Sequence, residues 1–222
     1  MGPITVWRFG AAGDRVPSGL PGADVVVASA PGSAQKRYRT IVADPPWHTT
    51  AGPPWTSGAA SQPLVYPTMS KTEIASLPVR ELAEPDAHLY LWTINAYVET
   101  AYEVARAWGF RPVTLLVWCK APNGIGLGGA FSNTTEYALF ARRGTLPAKE
   151  RRDTTWWNWK RGQHSAKPEA FLDMVESVSP GPYLELFARR QRLLWDTWGN
   201  ECFDSLGGLI PTERAGGGAA GR

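Results

Sequence analysis

Residues 39–50 read RTIVADPPWHTT, and the fold turns on how that run divides. Thr40, Ile41, Val42 and Ala43 form a short apolar stretch rich in β-branched residues, the pattern of a buried strand. Asp44, Pro45, Pro46 and Trp47 follow at once. The two prolines remove two backbone N–H donors and fix two φ angles, so the strand stops there. The carbonyls of Asp44 and Pro45 are then free for partners outside a sheet. Asp44 adds further acceptors and Trp47 a flat apolar face. Such a group of atoms fits a planar molecule bearing an NH2. The same residues also fit a plain turn that closes a strand, with Trp47 plugging the core.

Further strands are expected at residues 88–92, 112–119, 136–141 and 183–187. Helices lie between them. Ser70 and Glu73 form an S-x-x-E capping box ahead of Ile74 and Leu77. Asn95 is placed to cap a helix in which Ala101, Val104, Ala105 and Trp108 share one face, and Gly109 stops it. Pro168 suits the first turn of a third helix, with Phe171, Met174, Val175 and Val178 on one face and "SPGP" at its end. Apolar strands alternating with such helices predict an α/β fold. The sheet is Rossmann-like, mostly parallel and covered by helices on both faces. Ligands of open sheets of this kind bind beyond the carboxyl ends of the strands, and Asp44 stands at such an end.

The chain has 222 residues, 43% of them hydrophobic and 19% charged. That is globular material sufficient for one domain with a full core. Residues 1–36, rich in Gly, Pro and Ala, read as an irregular extension with short strands at 4–9 and 24–28. Residues 37–204 read as the folded domain, and 205–222 as a flexible Gly-rich tail. No apolar run reaches the roughly 18–20 residues that span a bilayer, and the N-terminus lacks the apolar core of a secretory leader. A cytoplasmic protein is therefore expected. The two cysteines, Cys119 and Cys202, form no C-x-x-C pair and have no histidines clustered about them, so neither a metal site nor a disulfide is expected. A net charge of +3 is compatible with a nucleic-acid partner without demanding one. The eleven tryptophans serve mostly as core, with a few available for stacking on flat ligands.

Six further stretches follow ADPPW in order: YPTMS (66–70), LYLWT (89–93), VWCK (117–120), HSAKP (164–168), LELFARR (184–190) and WGNE (198–201). Together, over residues 39–203, they resemble the MT-A70 family of S-adenosylmethionine-dependent adenine-N6 methyltransferases, which act on RNA or DNA. The resemblance implies that residues 37–204 are a methyltransferase catalytic domain of the permuted class, catalytic motif first and cofactor strand last. That order accounts for the missing G-x-G-x-x-G. It assigns Asp44, Pro45, Pro46 and Trp47 to catalysis. Asp44 and the Pro45 carbonyl accept the amine N–H groups, and Trp47 holds the base plane. It assigns Lys167 to the methionine end of S-adenosyl-L-methionine, and Glu185, Arg189, Asn200 and Glu201 to the cofactor pocket.

Tyr66, Lys120 and Glu136 are expected near the base. Segment 151–165, RRDTTWWNWKRGQHS, interleaves cations with Trp156, Trp157 and Trp159. Cations track phosphates and aromatics stack on bases, so Trp159, Lys160 and Arg161 join the nucleic-acid candidates. The alternative is a loop pinned to the core by its tryptophans. Residues 48–67 and 120–135 read as long loops facing substrate, lids or ordinary connections alike. DNA is favoured over RNA, because no RNA-binding module is recognisable. So compact a chain leaves a role for a homodimer or a partner subunit in gripping substrate. Two rivals stand beside this reading: an inactive nucleic-acid-binding subunit, and an enzyme methylating an amine on something other than nucleic acid.

Overall fold

Alternation along two central strands gives the molecule its two faces. In β1 (Tyr38–Ala43), Ile41 and Ala43 enter one apolar cluster and Val42 another. In β2 (Ala83–Thr93), Leu89 and Leu91 join the first cluster, Tyr90 and Trp92 the second. A strand buried on both sides needs apolar residues at every position, which is why these segments read as unbroken hydrophobic runs. The structure is a computed structural model that describes residues 36–48, 68–120, 131, 133–160, 167–199, 202 and 204–206. The expected strands at 4–9 and 24–28 and most of the tail lie outside these residues.

The first cluster is closed by α1 (Lys71–Ala75), α2 (Val79–Leu82) and α3 (Val98–Ala107), the second by α4 (Glu169–Val178). The capping box forms as expected. Ser70 N–H donates to Glu73 Oε2 at 2.7 Å and Glu73 N–H to Ser70 Oγ at 3.3 Å. Ala101, Val104, Ala105 and Trp108 are all buried, and Trp108 Nε1–H donates to the Ile74 carbonyl at 3.0 Å, tying α3 to α1. Gly109, at φ +84°, ends α3. Its N–H bonds the Arg106 carbonyl and the next N–H, of Phe110, bonds that of Ala105, a pairing that needs a left-handed residue between them. The expected cap at Asn95 does not form. Asn95–Tyr97 make a 3-10 turn, and α3 starts after Tyr97 with no side-chain cap. Phe171, Met174 and Val175 are buried as their spacing predicts.

The other strands are β3 (Arg111–Cys119), β4 (Thr135–Arg143), β5 (Trp156–Trp157), β6 (Tyr183–Leu186) and β7 (Trp195–Trp198). The sheet order is β5-β3-β4-β2-β1-β6-β7. β1 pairs in parallel with β2 and β6, β6 with β7, and β3 with β5; β4 runs antiparallel to both β2 and β3. The sheet is thus mostly parallel, as expected, with one reversed strand. That reversal positions the site. The start of β4 lies at the same edge as the carboxyl ends of β1, β2 and β3, with Tyr137 beside Thr93 and Thr135 beside Cys119. β5 and β7, neither among the expected strands, are short and sit at the two rims.

Candidate active site

Asp44 leaves the carboxyl end of β1, its N–H donating to the Leu186 carbonyl of β6 at 3.3 Å. The prolines then turn the chain as predicted, but the Pro45 carbonyl expected to be free, like that of Pro46, accepts a backbone hydrogen bond. Trp47 N–H donates to Pro45 O at 2.9 Å and Met69 N–H to Pro46 O at 2.8 Å. A carbonyl oxygen carries two lone pairs, so Pro45 keeps one acceptor site for an incoming donor. Trp47 is only 6% exposed. Its Nε1–H bonds the Trp92 carbonyl at 3.0 Å and its ring stacks on Tyr97, centroids 5.5 Å apart at 13°. The plug reading therefore describes this indole. Trp47 fixes the turn that presents Asp44, and one of its faces is already covered.

Side chains from four segments meet at this edge. Lys167, just ahead of α4, places Nζ 2.8 Å from Asp44 Oδ2 and 3.4 Å from Glu136 Oε2. Lys120, at the end of β3, places Nζ 2.8 Å from Glu136 Oε1. Beneath them Lys167 lies over the Trp92 ring at 5.1 Å and Lys120 over Trp118 at 5.9 Å. The two indoles meet edge to face at 6.1 Å. Ammonium groups favour such ring faces, the more so when partly desolvated. Burial by itself would raise the Glu136 carboxyl, but Lys167 and Lys120 outweigh it and hold it below the usual carboxylate range. Burial would likewise lower the Lys167 ammonium, and Asp44 and Glu136 reverse that. The four charged groups sum to zero, which makes their partial burial tolerable. The resemblance sets Lys167 at the cofactor's methionine end; its partners in the structure are Asp44 and Glu136.

Glu185 has the opposite surroundings. It sits in β6 between Val42 and Thr197, and its Oε2 is buried without a hydrogen-bond partner among the described residues. Burial pushes its carboxyl up to about 7, with Arg190 opposing and Asp44 adding to the rise. A buried acceptor without a donor is costly in a finished fold and suits a site completed by a ligand hydroxyl. The residue after β6, Phe187, is held at φ +65° while it packs edge-on against Trp198 at 5.2 Å. Non-glycine residues in that conformation carry backbone strain and cluster at ligand sites. Arg189 is exposed beside this turn, and Arg190 pairs with Glu169 of α4 at 2.8 Å.

The aromatic segment divides into two parts. Trp157 and Trp159 stack on each other at 5.0 Å, and Trp159 meets Phe171 edge-on at 6.2 Å. Trp118 Nε1–H donates to the Trp159 carbonyl at 2.9 Å. Both indoles are thus pinned to the second cluster. Trp156 is 60% exposed and Lys160 is exposed, so these two carry the surface character of the segment. Tyr66, Arg161, His164, Asn200 and Glu201, with loop residues 49–67 and 121–130, lie outside the described residues. Trp92 and Trp118 were missed as site residues. They read as core because they end apolar strands; the hints were that each lies in a stretch that resembles the family, LYLWT or VWCK, and is followed within two residues by Thr93 or Lys120 at a strand end. Among the described residues no group of three or more His, Cys, Asp or Glu is placed to hold a metal, and no helix is long and apolar enough to cross a membrane.

The chain is similar to known proteins over the part that builds this pocket. It is 29% identical over 189 residues to the type II methyltransferase M.MunI of Mycoplasma sp, covering 77% of this chain and 80% of that protein. It is 26% identical over 188 residues to the human N(6)-adenine-specific methyltransferase METTL4 and 26% over 175 residues to the human N(6)-adenosine-methyltransferase catalytic subunit METTL3. It spans only 38% and 28% of the lengths of those two proteins. The MT-A70 family model matches residues 38–201, a range running from the first residue of β1 past the end of β7. Three of the motifs that resemble the family, ADPPW, VWCK and HSAKP, supply Asp44, Lys120 and Lys167 to the acid–lysine pocket, and the chain belongs to the MT-A70 family of adenine-N6 methyltransferases.

Proposed function

We propose that this pocket transfers a methyl group from S-adenosylmethionine to the N6 amine of an adenine in DNA. The observation that carries it is the convergence, at one sheet edge, of the Asp44 carboxylate, the remaining acceptor of Pro45 and the Glu185 oxygen that has no partner among the described residues. The cofactor would supply an electrophilic methyl on a sulfonium. Glu185 and Arg189 suit its ribose and pocket rim, and the family resemblance assigns Asn200 and Glu201 to the same pocket. The chain's own work falls to Asp44 and Pro45. The N6 lone pair is delocalised into the ring, and two acceptors on its N–H groups favour a pyramidal nitrogen whose lone pair is available. As the N–C bond forms, positive charge grows on N6 beside Asp44, which stabilises it and takes the departing proton. Trp47 holds the turn, so alignment costs little at the moment of reaction.

DNA is proposed over RNA because the type II methyltransferase M.MunI is matched over most of both chains, whereas the adenosine-named METTL3 is matched over a small share of its length. Trp156 and Lys160 suit a base and a phosphate beside the target. A duplex would have to flip its adenine, at a few kcal/mol. A second copy or a partner subunit would extend the grip, and the cytoplasm keeps Cys119 and Cys202 reduced. The test is methyl transfer from labelled S-adenosylmethionine to matched DNA and RNA oligonucleotides, read as the labelled nucleoside. N6-methyldeoxyadenosine as the main product supports the reading. Label on cytosine, or on RNA in preference to DNA, overturns the part concerned.

A further inference from the structure

Lys167 stands on the oxygen that the reaction needs. Its Nζ is 2.8 Å from Asp44 Oδ2, so an adenine amine approaching Asp44 competes with an ammonium already bonded there. Simple displacement would leave a partly buried ammonium without its partner, which is costly. The structure holds a second seat for it. Glu136 Oε2 lies 3.4 Å from the same Nζ, and Glu136 Oε1 is occupied by Lys120 at 2.8 Å. Lys120 is itself steadied over the Trp118 ring. Both seats share one floor, since Lys167 lies over Trp92 and Trp92 abuts Trp118.

We infer that Glu136 is the seat to which Lys167 shifts when the adenine amine takes Asp44, and that Lys120 is a positioning residue that keeps Glu136 turned toward it. The inference rests on the proposed reading of Asp44 and extends it to a residue pair otherwise expected to meet the base. The shift is short because the ammonium already spans both carboxylates, and charge balance among the four groups is kept throughout. Lys120 donates to one oxygen of Glu136 and leaves the other for Lys167, so its part is to orient a carboxylate and not to touch substrate.

The test compares binding of two single-stranded DNA oligonucleotides by fluorescence anisotropy, one with adenine and one with purine, which lacks the amine, at the target position. Glu136→Gln should reduce the preference for adenine about tenfold, the size of coupling expected between groups in one network. In a Lys167→Met background the same substitution should produce no further loss, because the ammonium that needs the seat is gone. Lys120→Met should reproduce the loss seen with Glu136→Gln, and Lys120→Arg should restore most of it. A loss that persists in the Lys167→Met background would show that Glu136 meets the base directly and overturn the inference; so would an unchanged preference in Glu136→Gln. Failure of the wild type to methylate adenine would instead strike the proposed function, a separate readout.

Discussion

Asp44 and Glu185 stand near the carboxyl ends of two adjacent parallel strands, and their surroundings are opposite. Asp44 is met by a lysine of its own chain, with a second carboxylate and a second lysine behind it. Glu185 has an oxygen with no donor among the described residues and a carboxyl pushed up to about 7 by burial. One acid is compensated before any ligand arrives, and the other is left for a ligand to complete. The difference suits the two tasks proposed for them. An acid that accepts protons from a transient substrate amine must be held in place between turnovers. An acid that receives a nucleoside hydroxyl gains most when nothing within the fold competes for it.

The contrast breaks most sharply at Asp44. Asp44→Asn keeps size and one acceptor oxygen but cannot take the proton, and should lower kcat by about 10²–10⁴-fold, the usual worth of a positioned base. Affinity for S-adenosylmethionine by calorimetry should change little. An equal fall in cofactor affinity would erase the distinction between the two acids. At Glu185 the order reverses. Glu185→Gln should weaken cofactor binding about tenfold, as loss of a charged acceptor does. In the wild type the affinity should rise as pH passes upward through about 7, where the carboxyl ionises and becomes a full acceptor. In Glu185→Gln the profile should be flat. The raised carboxyl also bears on stability. Its contribution is complete below the ordinary value of 4.5 and is lost as pH rises through about 7, so the ligand-free protein should lose melting temperature over that window and Glu185→Gln should not.

A smaller effect of opposite sign sets a control far from the site. His88 is buried, with Nδ1 2.8 Å from Ser179 Oγ and Nε2 3.0 Å from the Leu146 carbonyl. Burial lowers its pKa from the usual 6.5. Its stabilising contribution is present above 6.5 and is lost as pH falls from there toward the depressed value, because the unfolded chain takes up the proton first. His88→Gln should flatten the fall of melting temperature on the acid side and leave methyl transfer kinetics per folded molecule unaltered. The smallest effect is expected at the capping box. Ser70→Ala should cost about 1 kcal/mol, measured by urea unfolding, without touching either acid.

Much of this molecule was legible in its sequence because much of it is local. The capping box of Ser70 and Glu73 is decided by two residues three apart. The stripes of α3 and α4 are decided by a 3.6-residue period, and the end of β1 by two prolines. Asn95 misled because a capping residue read from sequence cannot distinguish an α-helix from the 3-10 turn that precedes it. β5 was missed because two residues carry no pattern, and β7 because Asp196 and Thr197 stand between its tryptophans in place of an apolar run. The network of the site was illegible for a different reason. Asp44, Glu136 and Lys167 are brought together by sheet register and by the reversal of β4, and no spacing along the chain encodes that meeting. Trp47 was recognised as important, yet whether its faces were open depended on Tyr97, fifty residues away.

The central claim, that Asp44 presents an acceptor to an adenine amine, is tested most directly by nucleoside mass spectrometry on DNA and RNA from a host lacking its own adenine methylation. Expression of the wild-type chain should introduce N6-methyldeoxyadenosine into the DNA, and expression of Asp44→Ala to the same level should not. An equal signal from the variant, or methylation found only on cytosine, would contradict the account.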